Sequence, residues 1–113
     1  MMTRGAPGLD KVHFAIEQLL DAPDGWRAAV REMVHRWPDV PAAELIFTLA
    51  SAASEIEAMF APGSPAREGA DHGWRLAALL GVDLYAMESI GLPRARAADF
   101  AGYWAVDPYF RDL

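Results

Sequence analysis

Each of the three histidines has a carboxylate about one helical turn away: Asp10 and Glu17 around His13, Glu32 before His35, and Glu68 before His72. An imidazole and a carboxylate at that spacing can pass a proton or share a metal ion. The stretch Glu32-Met-Val-His35 has the Glu-x-x-His spacing found in di-iron helical bundles. Such a centre needs that motif twice and two further inward glutamates, and the chain has no second Glu-x-x-His. The enzymatic alternative is therefore a metal site built from Glu32, His35 and Glu55 and completed by a dimer mate. With sixteen acidic residues, carboxylate–histidine neighbours are common by composition, so solvated pairs are the simpler expectation and no cofactor is expected.

Other reactive chemistry has little to stand on. Ser51, Ser54, Ser64 and Ser89 have no histidine base adjacent in sequence. The turn Ala61-Pro-Gly-Ser-Pro65 contains one glycine and no following lysine, unlike a phosphate-cradling loop. The absence of cysteine excludes disulfides, thiolate zinc sites and thiol nucleophiles together.

The elements that would position these residues are helices. A hydrophobic content of 53% over 113 residues is enough to bury a core in one domain, expected over residues 9–113 behind a flexible Gly/Pro-containing leader at 1–8. Leu9, Val12, Phe14, Ile16, Leu19 and Leu20 mark a first helix, ended by Asp21-Ala-Pro-Asp-Gly25. Asp24 is placed to cap a second helix, whose face is Trp26, Ala29, Val30, Met33, Val34 and Trp37 and which Pro38 stops. The strongest periodicity lies in Pro41–Phe60: Leu45, Leu49, Ala52, Ile56, Met59 and Phe60 form a stripe, widened by Ile46, Phe47 and Ala53. Its small-residue centre, Ala50-Ser-Ala-Ala-Ser54, permits close approach by another helix, within the domain or across a dimer.

Beyond the Ala61–Pro65 turn, helix is expected from Glu68 to Leu80, a turn at Gly81-Val-Asp83, and a short helix from Leu84 to Ile90 with Asp83 as its cap. Pro93 then suits the first turn of a last helix ending near Trp104. The sum is an all-α fold, a compact bundle of about five helices.

With Ala77 as the small crossing residue, Gly81 as the turn, and Leu76, Leu80, Val82, Met87 and Ile90 at apolar positions, Arg75–Gly91 resembles a helix-turn-helix motif. The resemblance implies two crossing helices and, as an alternative function, a DNA-binding regulator contacting nucleic acid through Tyr85, Ser89, Arg94 and Arg96. Asp83 and Glu88 sit on the would-be recognition helix, and the net charge of −6 repels phosphate backbones, so nucleic acid is disfavoured as a partner. A single continuous helix through Gly81, at a cost of about 1 kcal/mol, also fits the same apolar positions.

The charge is uneven. Between Ala42 and His72 the acids Glu44, Glu55, Glu57, Glu68 and Asp71 face one base, Arg67. The sequence therefore reads as a small helical interaction protein without enzymatic activity, self-associating through the small-residue helix or an aromatic tail. Glu55 and Glu57 would select a basic surface on a protein partner, and Tyr103, Trp104, Tyr109 and Phe110 are candidate contacts, although such a tail also commonly closes a core. No segment of signal-peptide or membrane-spanning character occurs, giving a cytoplasmic expectation without membrane binding.

Overall fold

The computed structural model describes residues 9–21 and 23–113, and within them the chain forms six helices and no strand: α1 (Leu9–Leu20), α2 (Gly25–Arg36), α3 (Ala42–Met59), α4 (Arg67–Ser89), α5 (Ala98–Tyr103) and α6 (Tyr109–Asp112). The expected leader at 1–8 lies outside the described residues. The first three helices fall where apolar periodicity places them. Asp24 does not cap α2 through its side chain; its carboxylate pairs with Arg27 at 3.5 Å while its carbonyl accepts the Arg27 amide at 3.0 Å. Pro38 follows Trp37, whose amide makes the last helical bond, to the Met33 carbonyl at 2.9 Å.

Helices α3 and α4 form an antiparallel hairpin and share the largest contact of any pair. Their loop is fastened by Arg67, which donates to the Phe60 carbonyl at 3.0 Å and lies 3.9 Å from the Glu57 carboxylate. The core runs between this hairpin and the remaining helices, through Leu19, Val30, Met33, Leu45, Leu49, Ile56, Leu76, Leu80, Met87, Phe100 and Phe110. Thr48, a buried polar side chain among them, donates its hydroxyl hydrogen to the Glu44 carbonyl at 2.7 Å, so it is satisfied.

Three further expectations need correction. Residues 68–90 are not two helices: α4 runs unbroken through Gly81, whose φ is not positive, and Asp83 lies mid-helix instead of at a cap. The helix ends at Gly91, with φ at 76°, where the Leu92 amide reaches the Met87 carbonyl at 2.9 Å and the Gly91 amide the Glu88 carbonyl at 3.2 Å. That crossed pair satisfies carbonyls a helix end otherwise leaves open. Residues 93–97 are not helical either, because their backbone is engaged elsewhere. The Ala95 carbonyl accepts from Ala42 at 3.0 Å, and the Ala97 amide donates to Val40 at 2.8 Å, tying this segment to the α2–α3 connection. Finally, Phe47 and Met59 do not extend the core stripe of α3: Phe47 is exposed because its position turns away from the side that Leu45, Leu49 and Ile56 bury, and Met59, in the last turn, is exposed at the edge of the α1–α3 groove with Leu9 and Val12.

Two glycines let α1 lie against the hairpin. A methyl group at Gly73 would sit 3.0 Å from the Ala53 Cβ and 3.1 Å from the Leu19 Cδ1, and one at Gly69 would sit 2.8 Å from the Leu19 carbonyl oxygen. The second obstruction is backbone and cannot rotate aside. Gly69→Ala is therefore expected to lower stability by roughly 1–3 kcal/mol through enforced displacement of α1, outweighing alanine's helix preference of about 1 kcal/mol. Denaturant titration checks this; an unchanged or raised midpoint would contradict the close approach.

Candidate interaction site

Helix α4 carries Trp74, Ala78, Gly81, Tyr85 and Glu88 at steps of four, three, four and three residues, one line along a helix. Helix α3 carries Ala43, Phe47, Ala50, Ser54 and Glu57 with the same stepping. The Trp74 indole donates to the Glu57 carboxylate at 3.1 Å across the hairpin seam. The backbone register is set by Gly73, whose nearest α3 neighbours are Ala53 and the Leu49 carbonyl, so Gly81, two turns further on, stands level with the first turn of α3. The two lines border the hairpin seam on the side away from α1.

This outer face holds large apolar surface in the open. Phe47 is 66% exposed, Tyr85 72% and Val82, beside Tyr85, 63%. Ala50, Ser54 and Ala78 on the same two lines are small. Two carboxylates lie at opposite ends, and each is held by an arginine of the same chain: Glu57 by Arg67 at 3.9 Å, Glu88 by Arg94 at 3.8 Å. Gly81, Leu84, Tyr85, Glu88 and Arg94 line an open groove at one end.

The residues singled out from sequence are scattered. Tyr103, Trp104 and Phe110 are buried with Phe100, so they close the core and present no contact surface. The tail is pinned there by Arg31, which donates to the Phe110 carbonyl at 3.0 Å; Tyr109 stays partly exposed, edge-on to Phe110. Glu57 is occupied by Trp74 and Arg67, whereas Glu55 is exposed on a different groove, with Leu9, Val12, His13, Ile16, Glu17 and Met59. Glu32 and His35 line a third groove with Arg31, Val34, Ala101 and Trp104. The proposed metal set of Glu32, His35 and Glu55 is thus divided between two surfaces, and among the described residues no three histidines or carboxylates are gathered to hold a metal ion.

The nucleic-acid set fares similarly. Tyr85 and Ser89 are exposed on α4, with the Ser89 hydroxyl donating to the Tyr85 carbonyl at 3.0 Å. Arg94 pairs with Glu88, and Arg96 with Asp39 at 3.5 Å. The two crossing helices that the motif resemblance implies are absent, since both of its halves belong to α4.

Sequence reasoning missed Phe47 and Val82 as surface residues. The available signal was their phase: both lie well around the helix from the residues that pack the core. It also missed Asp83, which is only 8% exposed and stands near Tyr103 and Asp107. Burial, then the Asp107 carboxylate, pushes its carboxyl from 3.8 up to about 6. Burial followed by Asp83 and Asp107 raises the Tyr103 phenol as well.

Comparison with family models, with curated proteins and with solved structures found no match to this chain. Among the described residues no helix is long and apolar enough to cross a membrane.

The Asp83 shift has a definite sign. Below its unfolded value of 3.8 the carboxyl is protonated in folded and unfolded chains alike. As pH rises towards about 6 the unfolded chain ionises it freely while the folded chain resists, so stability falls across that window and then levels. Asp83→Asn removes the ionisation. Its stability relative to the parent should therefore improve between about pH 4 and pH 7, read from denaturation midpoints; a constant difference would contradict a buried, raised carboxyl.

Proposed function

We propose that the protein works as a binding module whose docking surface is the outer face of the α3–α4 hairpin. The observation carrying this reading is the exposure of Phe47 on α3 and of Val82 and Tyr85 on α4, all three on sides of their helices turned from the core. Scattered single apolar residues are ordinary on protein surfaces, whereas large apolar side chains on the same side of two packed helices have the composition of interface cores. Trp74 supports the same reading, because its bond to Glu57 braces one end of the face.

The acidic contribution anticipated from Glu55 and Glu57 divides. Glu57 serves the hairpin, and Glu55 with Glu17 flanks the separate α1–α3 groove, where it is available as a secondary contact for a basic segment. Aromatic anchors near the middle of a face supply most of an interface's affinity, and flanking charges mainly tune approach.

A photoreactive phenylalanine analogue placed at Phe47, with a second one at exposed Asp24 as control, tests this reading in the native host. One discrete adduct identified by mass spectrometry at position 47 and absent at position 24 is expected. Equal labelling at both positions, or no adduct at 47, would show that nothing docks on this face.

A further inference from the structure

The segment that follows α5 rests on the fold through a single buried side chain. Of residues 105–113 only Phe110 is buried, while Asp107, Pro108, Tyr109, Arg111 and Asp112 lie in the open. Among the described residues, one side-chain hydrogen bond reaches it from outside α5 and α6: Arg31 of α2 donates to the Phe110 carbonyl at 3.0 Å. An element held this lightly opens at far lower cost than the helices beneath it.

Beneath it, α4 carries a carboxyl group that the closed fold leaves unanswered. Asp83 lies mid-helix and is 8% exposed, and among the described residues no donor bonds it and no base pairs with it. Facing it are the Tyr103 phenol of α5 and the Asp107 carboxylate of the α5–α6 connection. The charged groups on the other elements are engaged elsewhere. Arg27 of α2 shares an outer groove with Asp107 and Asp112 and pairs with Asp24 at 3.5 Å. Arg31 is bound to Phe110, and Glu44, in the first turn of α3, is held by Lys11 at 3.3 Å.

Burial and an adjacent carboxylate both disfavour the ionised form of Asp83. When it ionises, one side of the contact has to yield. Asp83 is fixed within the 23 continuous residues of α4, whereas Asp107 is carried by the lightly held segment. We infer that residues 105–113 are a pH-responsive latch, closed over α4 and α2 while Asp83 is protonated and released when Asp83 ionises. Release hydrates the new carboxylate, separates it from Asp107 and withdraws Phe110 from its seat on α2.

Linkage fixes the direction and size of the effect. The Asp83 carboxyl titrates at 3.8 when freely hydrated and at about 6 in the closed form. Below 3.8 both forms are protonated, and opening is insensitive to pH. Between the two values the open form gives up its proton first, so opening grows with pH by up to about 100-fold and then levels.

Amide hydrogen exchange of the whole chain, followed by NMR from about pH 4 to about pH 7 and corrected for the intrinsic rate, tests the latch. The Asp107 amide, bonded to the Tyr103 carbonyl at 3.0 Å, reports release, and Leu49 and Ile56, buried in α3, report opening of the whole fold. Opening at Asp107 should rise at least about 10-fold across that range in the parent and stay flat in Asp83→Asn, with Leu49 and Ile56 at least about 100-fold better protected throughout. Arg31→Gln should raise opening at Asp107 several-fold at every pH by removing the tether. A flat profile in the parent, a rise that survives in Asp83→Asn, an Asp107 amide that opens only together with Leu49 and Ile56, or indifference to Arg31→Gln would each overturn the latch.

Discussion

The closeness of α4 to its neighbours at Gly69 and Gly73 is the constraint from which the arrangement of the other helices follows. With no side chain at either position, α1 settles against the α3–α4 hairpin through Leu19, with Ala53 and the Leu49 backbone on the other side. Residues Ala15 and Leu19 of α1, and Ala29, Val30, Met33 and Val34 of α2, are buried on the inner side of the hairpin. The short α5 and α6 complete it with Phe100 and Phe110. Because the close approach lies on one side of the hairpin, that side becomes core and the opposite side is left outward. The candidate interaction face is thus a direct consequence of which side of α4 carries the required glycines.

Much of the fold is legible in the chain because its helices are amphipathic and their ends are marked by Pro38, the Ala61–Pro65 turn and Gly91. The break anticipated at Gly81 is absent for a physical reason. A glycine followed by Val-Asp is compatible both with a left-handed turn and with a helix interior, and the two differ locally by about 1 kcal/mol. Burial of Leu76, Leu80 and Met87 along one continuous side of α4 decides between them, and that burial depends on α1 and α3. Residues 93–97 illustrate the same limit: Pro93 suits a helix start, but bonds to Pro38, Val40 and Ala42 hold the following residues out of a helix.

The candidate site was less legible than the fold. Tyr103, Trp104 and Phe110 have the composition of a contact surface and are buried, since composition does not say which side of a short helix faces inward. Phe47, taken into the α3 stripe by its apolar character, belongs by phase to the other side of the helix. The alanine- and serine-rich centre of α3 was recognisable as a place of close approach, and the residue that approaches it is Gly73, against Ala53 and the Leu49 carbonyl. Glycine is the residue whose meaning changed most, from a turn between two helices to an uncovered point on one.

The central claim is that the outer face of α3–α4 is a docking surface. Electron spin spectroscopy tests it directly, because the chain has no cysteine and a single Ala58→Cys nitroxide, on the exposed side of α3, reports without background. In extract of the native host the account predicts a broadened, slowed spectrum from this label and an unchanged one from a label at Asp24. An unchanged spectrum from position 58, or equal broadening at both positions, would contradict it.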